Sequence, residues 1–433
     1  MTLIDLSPAP PTGSVLRDLP VVVIGAGPVG LAAAAHLAER GIDFVVLEAG
    51  AVAESVSSWA HIRLFSPWKH LVDPAARRLL ESDGWSAPTE SLAPTGGELV
   101  ERYLRPLSSL SAIAPRVRTA ARVVAVSRRG MDRTRTSARA STPLVVRFQD
   151  SSGLSELSAR AVIDASGTFR SPNPLGSNGL DPLGAHAVAD RLLPAMPDVL
   201  GVRQSEFAGR HTTVVGAGHS AANTLVSLGE LIRQEPSTRA TWVIRSREAT
   251  RVLTAESDEL ADRASLSSRL RRLLEFGVID IVDRFEIVGL SREDDGMLVT
   301  GQRAGGLESF HTDLLVNATG FRPDLGMLRE VRLDLDEVVE APRRLAPLID
   351  PNLHSCGTVA PHGVAELAHP EPGFFIAGMK SYGRAPTFLL ATGYEQVRSI
   401  TAFIDGDLEA ARAVQLVLPA TGVCSTSSAE ACC

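Results

Sequence analysis

The feature that most constrains this chain is a stretch it contains twice. VVVIGAGPVGLAAAAHL begins at Val21, and TTVVGAGHSAANTLVSL begins at Thr212. Each copy has a short β-branched block, a Gly-x-Gly turn, a small residue three positions further on, and then a helical pattern. That order describes a strand, a tight turn and a helix, the opening of a nucleotide-binding βα unit. Two such units in one chain predict an α/β protein with two nucleotide sites.

In the first unit Gly25, Gly27 and Gly30 form Gly-x-Gly-x-x-Gly, and Pro28 between the last two glycines is expected to lie against the cofactor with them. The first glycine permits the turn, the second lets the backbone approach a pyrophosphate, and the third lets helix and strand pack closely. The phosphates then face the free N–H groups of the helix N-terminus. A second strand pattern, Gly41-Ile-Asp-Phe-Val-Val-Leu-Glu48, ends in an acid eighteen residues after Gly30. A carboxylate there accepts from both ribose hydroxyls of an adenosine and repels a 2′-phosphate.

The second unit reads Gly216-x-Gly218-x-x-Ala221, with His219 and Ser220 at the helix start. Its next strand ends Arg245-Ser-Arg247 and carries no acid. Arginine at that strand end suits a 2′-phosphate, which favours NADPH over NADH; the plain alternative is that both arginines are solvated surface charges. One site for an ADP moiety without a 2′-phosphate and one for NADPH together imply FAD and NADPH. In that pairing hydride passes from nicotinamide to flavin, and the flavin reduces something else.

From about Val21 to about Ile404 the sequence resembles the two-dinucleotide-binding-domain flavoproteins, and among them the flavin-containing monooxygenase-like group often labelled CzcO-like. Asp164-Ala-Ser-Gly167-Thr and Asn317-Ala-Thr-Gly320-Phe-Arg-Pro look like the paired segments where such chains enter and leave the NADPH domain. Trp59-Ala-His-Ile-Arg63-Leu-Phe-Ser-Pro67 is similar to the segment that runs by the flavin. Pro372-Gly-Phe-Phe-Ile-Ala-Gly378 looks like the late strand that meets the ribityl chain, and a helix over 387–404 would aim its N-terminus at the flavin ring. The resemblance implies flavin or nicotinamide contacts at Gly167, Gly320, Gly378, Met379, Trp59 and Arg63. Two departures stand out. Phe207-Ala-Gly209-Arg-His211 holds only the beginning of the Phe-x-Gly-x-x-x-His monooxygenase fingerprint, and Gly378-Met379 replaces the Gly-Asp of many relatives.

The expected architecture is two Rossmann-like domains, the NADPH domain inserted into a discontinuous FAD domain, with a small antiparallel β-meander. The boundaries read as a leader at 1–19, FAD-binding parts at 20–170 and 313–410, the NADPH domain at 171–312, and a tail at 411–433. Pro143 to Phe148 and Leu154 to Asp164, about the turn Asp150-Ser-Ser-Gly153, read as a hairpin. Basic, aperiodic Ser127 to Ser141 reads as an exposed loop. The apolar run Val21 to Ala38 approaches membrane-spanning length but divides into strand, turn and Ala-rich helix, so no membrane span is expected.

Composition agrees with a globular protein: of 433 residues, 44% are hydrophobic and 21% charged, and with a modest net charge of -7 and arginines scattered through an acidic background no nucleic-acid partner is expected. The leader lacks the apolar core of a signal peptide, so a cytoplasmic location is expected, with a homodimer left open.

The catalytic residues cannot be read from the sequence, and three outcomes for the reduced flavin compete. Molecular oxygen could oxygenate a small-molecule substrate in a water-poor pocket, which Trp59, His61, Arg63 and Trp68 could line, although the tryptophans suit a plain core better. A protein dithiol could be reduced instead, but there is no Cys-x-x-Cys, and only Cys356 lies in the body of the chain. A redox-sensing binding module would need a degenerate flavin site, against which both intact turns speak. The remaining thiols, Cys424, Cys432 and Cys433, lie within the last ten residues. They either converge on a soft ion, such as trivalent arsenic or mercury, or form a polar tail with no specific ligand.

Overall fold

The computed structural model describes residues 14–249, 252–253, 261–353, 359–386 and 388–416. All four cysteines lie outside these residues.

The β-branched block Val21–Ile24 is the central strand of a five-stranded parallel sheet. The order is Phe374–Ile376, Ala161–Asp164, Val21–Ile24, Phe44–Leu47, Val117–Arg118. Val21 pairs with both Phe44 and Ala161, and Ile24 with both Leu47 and Asp164. All four residues of Val21–Ile24 are buried, which is why the run is continuous rather than alternating. Helix Pro28–Glu39 covers one face. Its Ala32, Ala33, Ala34 and Ala35 are fully buried, and the small side chains let helix Leu390–Asp405 pack closely on it.

A second five-stranded parallel sheet has the order Asp280–Val282, Arg239–Val243, His211–Val215, Leu314–Asn317, Leu192–Pro194. Helices His219–Gln234 and Ala261–Glu275 pack against one another beside it. Each parallel sheet is accompanied by a three-stranded antiparallel meander. The expected one is Arg122–Arg128, Leu144–Asp150 and Gly153–Ala159; the other, Glu286–Glu293, Gly296–Arg303 and Gly306–Thr312, was not anticipated.

Two expectations need correction. The return to the first unit was placed at 313, yet Leu314–Asn317 pairs with His211–Val215 in the second sheet, Leu314 opposite Thr212 and Asn317 opposite Val215. The chain crosses back only after this strand, and the two crossings are tied together. Asn173 N–H donates to the Gly320 carbonyl at 2.9 Å, Asn317 Nδ2 to the Asn173 carbonyl at 2.8 Å, and the rings of Phe169 and Phe321 lie 5.1 Å apart.

The basic stretch Ser127 to Ser141 is not simply an exposed loop. Arg128 and Arg139 are 4% and 3% exposed. Arg128 Nε donates to Glu371 Oε1 at 2.7 Å, and Arg139 Nη2 to Glu371 Oε2 at 2.7 Å. Glu371 Oε2 also accepts the Arg332 N–H at 3.1 Å. A carboxylate with that many donors makes burial of the guanidiniums tolerable, and the loop folds down onto it.

Candidate functional site: the two glycine turns

At the first turn the backbone geometry explains the glycines. Gly25 has φ +99°, and a Cβ there would stand 2.8 Å from the Ala165 carbonyl oxygen; a Cβ on Gly30 would stand 1.9 Å from the Gly25 carbonyl oxygen. Any larger residue at position 30 would push helix from strand. Gly27 is the N-cap of helix Pro28–Glu39, with Pro28 at its first turn, and a Cβ on Gly27 would meet nothing within 4 Å. That open side faces a cavity of about 450 Å³.

Gly25, Gly27, Pro28, Glu48, Trp59, Gly167, Gly378 and Met379 all line this cavity. The Glu48 carboxylate is held by two backbone donors, Ala26 N–H to Oε2 at 2.8 Å and Gly50 N–H to Oε1 at 2.9 Å. Each oxygen keeps a lone pair for a further donor, so both vicinal hydroxyls of a ribose could be met. An open glycine turn at a helix N-terminus, with a fixed carboxylate across one cavity, fits an ADP moiety.

Other expected residues lie elsewhere. Gly30 is beneath the turn. Gly320 belongs to the crossing, at φ +97°. The guanidinium of Arg63 donates to the Ala93 carbonyl oxygen, while its backbone bridges to Thr95. His61 is exposed, and neither it nor Trp68 borders the cavity. Trp68 is a core residue with the Arg102 guanidinium 5.9 Å from its ring centroid.

The Gly378 turn, at φ +71°, is pinned from behind. Gly378 N–H donates to Gln396 Oε1 at 2.7 Å, and Gln396 Nε2 donates to Ser381 Oγ and His362 Nε2, both at 2.9 Å. With His362 Nε2 accepting, Nδ1 carries the proton toward the Ala360 carbonyl, 3.0 Å away. Burial lowers the pKa of His362, which favours this neutral form.

Several cavity residues were missed in the sequence: Arg122, Phe169, Arg170, Phe321, Lys380 and Phe388. Phe321 lies within a quoted motif, and Phe169, Arg170 and Lys380 lie within two residues of one, which was a usable signal; Arg122 and Phe388 carried none.

The second turn repeats the logic. Gly216 has φ +132°, and a Cβ there would stand 2.1 Å from the Ala318 carbonyl oxygen. Its carbonyl accepts from Trp242 Nε1 at 2.7 Å, so a buried indole fixes the turn. Gly218 is the N-cap of helix His219–Gln234, and Ala221 is buried under the turn. The His219 ring meets Phe65 edge-on at 5.0 Å, bringing the segment after Trp59 against the second unit. The Ser220 carbonyl accepts from Thr224 Oγ1 at 2.9 Å. Val215 pairs with Val243, and Gly216 N–H donates to the Val243 carbonyl at 3.1 Å. Arg245 and Arg247, just beyond Val243, are therefore at the same sheet edge as the turn. Both are exposed, and neither makes an ion pair among the described residues.

No group of three or more His, Cys, Asp or Glu side chains converges as a metal site among the described residues. No helix among them is long and apolar enough to cross a membrane.

A pair of parallel sheets, each with a glycine turn at a helix N-terminus and each with its own meander, is the architecture of a two-domain dinucleotide-binding protein. The chain belongs to the FAD dependent oxidoreductase family, whose sequence profile matches residues 20–344. It is thus an FAD-dependent enzyme. Curated proteins provide no significant sequence match.

Solved structures with the same fold include both disulfide reductases and monooxygenases. The bacillithiol disulfide reductase of Bacillus cereus superposes with a TM-score of 0.66 at 18% identity, covering 90% of this chain and 99% of its own. The cadaverine monooxygenase of Erwinia amylovora gives 0.60 at 15% identity, covering 93% and 98%. A flavin monooxygenase of Stenotrophomonas maltophilia gives 0.57 at 24% identity, covering 89% and 99%.

Proposed function

We propose that the enzyme binds FAD at the Gly25 turn and NADPH at the Gly216 turn, and that it is monooxygenase-like, the reduced flavin oxygenating a small substrate. The observation that carries this reading is the wall of the first cavity. It includes Trp59, Phe169, Phe321, Met327, Met379, Phe388 and Leu390 besides the glycine turns and a set of polar residues. Because the sequence has no Cys-x-x-Cys to act as a flavin-adjacent dithiol, electrons leave to a diffusible acceptor. Apolar and aromatic walls also exclude water, which oxygen insertion requires.

When bound, FAD would supply the hydride acceptor and the oxygen chemistry. The chain's own residues do the rest. Glu48 fixes the adenosine ribose, the Gly25 turn and the Pro28 helix N-terminus seat the pyrophosphate, and Arg245 and Arg247 select the 2′-phosphate. Phe65 against His219 holds the two turns in mutual register.

The test mixes NADPH-reduced protein with aerated buffer and follows NADPH, oxygen and hydrogen peroxide. Hydrogen peroxide formed in step with NADPH, and replaced by oxygenated product when a small amine or sulfide substrate is present, supports the proposal. A reduced protein that is stable in air but reoxidised by a low-molecular-weight disulfide would overturn it in favour of a reductase.

The thiols Cys424, Cys432 and Cys433 are proposed, from sequence alone, to capture a thiophilic metal or metalloid that the flavin centre then serves, an arsenic-type role. Unchanged arsenite and mercury affinity in a Cys432→Ser, Cys433→Ser variant would remove that part.

A further inference from the structure

The wall of the first cavity contains a buried cation that the glycine cradle does not account for. Lys380 follows Gly378-Met379, and its side chain is 1% exposed. Its Nζ donates to Asp164 Oδ2 at 2.7 Å and to Ser166 Oγ at 3.2 Å. A lysine ammonium has three donors, and the third meets no acceptor among the described residues. Lys380 contributes to the cavity wall, whereas fully buried Asp164 does not. The other oxygen of Asp164 is committed to Ser166, accepting its N–H at 3.1 Å and its Oγ–H at 2.6 Å. The ion pair therefore lies at the cavity wall, with Lys380 lining the cavity and Asp164 behind it.

The surrounding backbone identifies which part of a dinucleotide this cation would meet. Asp164 ends the strand beside Ile24, and the Gly25 turn is packed on the Ala165 carbonyl. Gly378 is packed on Val29, in the first turn of the helix whose N-terminus would seat phosphates; a Cβ on Gly378 would stand 3.2 Å from Val29 Cγ2. The cavity's other cations are weaker candidates. Arg170 is paired with Glu54 at 2.9 Å, and Arg122 is exposed. Leaving a donor of a buried ammonium unmet is costly, so an anionic ligand at this spot is strongly favoured.

We propose that Lys380 is a binding residue for the pyrophosphate of the dinucleotide, its third N–H donating to a phosphate oxygen while Asp164 and Ser166 hold the other two. This rests on the assignment of FAD to this cavity. It gives position 380 a role in a turn where Met379 offers the cofactor no carboxylate.

The test uses full-length apoprotein, with ADP as a probe that carries the pyrophosphate but no flavin ring. Lys380→Met should weaken ADP and FAD binding alike, by about tenfold or more, the scale of one charge-assisted hydrogen bond. Asp164→Asn leaves the ammonium in place and should keep ADP affinity within about threefold of the parent. Because Lys380→Met strands a buried carboxylate, the Lys380→Met, Asp164→Asn double variant serves as the folded control and should lose ADP affinity too. Equal losses in Asp164→Asn and Lys380→Met would reduce Lys380 to an internal brace and overturn the proposal. Unchanged ADP affinity with a lowered flavin midpoint potential would overturn it as well, placing the cation at the ring. Parent protein that binds both ligands, with variants that match it, sinks the Lys380 role alone; parent protein that binds neither sinks the FAD assignment with it.

Discussion

Glu48→Gln isolates the chemistry of the first turn, because the substitution keeps shape and removes one acceptor. In the structure each carboxylate oxygen faces a backbone donor, Ala26 N–H at 2.8 Å and Gly50 N–H at 2.9 Å. A glutamine has one carbonyl oxygen and one NH₂, so whichever way it turns, a donor faces a donor. One charge-assisted bond is lost, the remaining one becomes neutral, and one ribose hydroxyl loses its acceptor. Hydrogen bonds to charged groups contribute about 1.5–3 kcal/mol each, so FAD affinity should fall by about 2–3 kcal/mol, or roughly 30- to 150-fold. Titrating apoprotein with FAD and following flavin fluorescence measures this directly. Glu48→Ala should lose at least as much. FAD binding within about twofold of the parent in Glu48→Gln would refute the reasoning, since no reorientation of the amide satisfies both donors.

Three further outcomes are expected. Arg245→Ala with Arg247→Ala should lower the kcat/KM preference for NADPH over NADH by about tenfold or more, mostly through KM for NADPH, and the loss should shrink at high salt because both side chains are exposed. Unaltered coenzyme preference would return them to plain surface charges. Glu371→Leu should destabilise the fold by about 3–5 kcal/mol in urea unfolding, since it leaves the guanidiniums of Arg128 and Arg139 buried without their carboxylate; a loss below about 1 kcal/mol would mean that water reaches them. For His369, burial lowers the pKa from 6.5 to about 4. The unfolded chain then binds the proton first as pH falls, so stability is full above pH 6.5 and declines as pH drops from 6.5 toward 4, by about 3 kcal/mol at about 1.36 kcal/mol per unit. His369→Asn keeps an acceptor near the Asp334 N–H that Nδ1 now meets at 3.3 Å, and should flatten unfolding free energy across that window. Identical pH slopes in parent and variant would contradict it.

What could be read in advance was local. Gly30 is dictated by the Gly25 carbonyl within one βα unit and Glu48 by the end of the next strand, so nearby residues carry that message, whereas the carbonyl that crowds Gly25 comes from distant Ala165. Arg63 could not be placed in advance because a basic residue near a nucleotide turn reads alike whether it faces a cavity or, as here, a neighbouring carbonyl oxygen. Leu314–Asn317 was assigned to the wrong unit for a related reason. An apolar four-residue strand suits either parallel sheet, and only pairing with His211–Val215 selects one.

The sequence by itself determined that this chain builds two nucleotide turns, that the first carries an acid and the second two arginines, and that no Cys-x-x-Cys accompanies them. Those properties follow from backbone demands that neighbouring residues must meet. Only the tertiary structure decided which cations were to be buried and which exposed. Lys380 meets Asp164 across 216 residues, and Arg128 meets Glu371 across 243, while Arg245 and Arg247 remain in solvent. A buried charge is stable only where folding brings a distant partner within about 3 Å, and no local pattern records that distance.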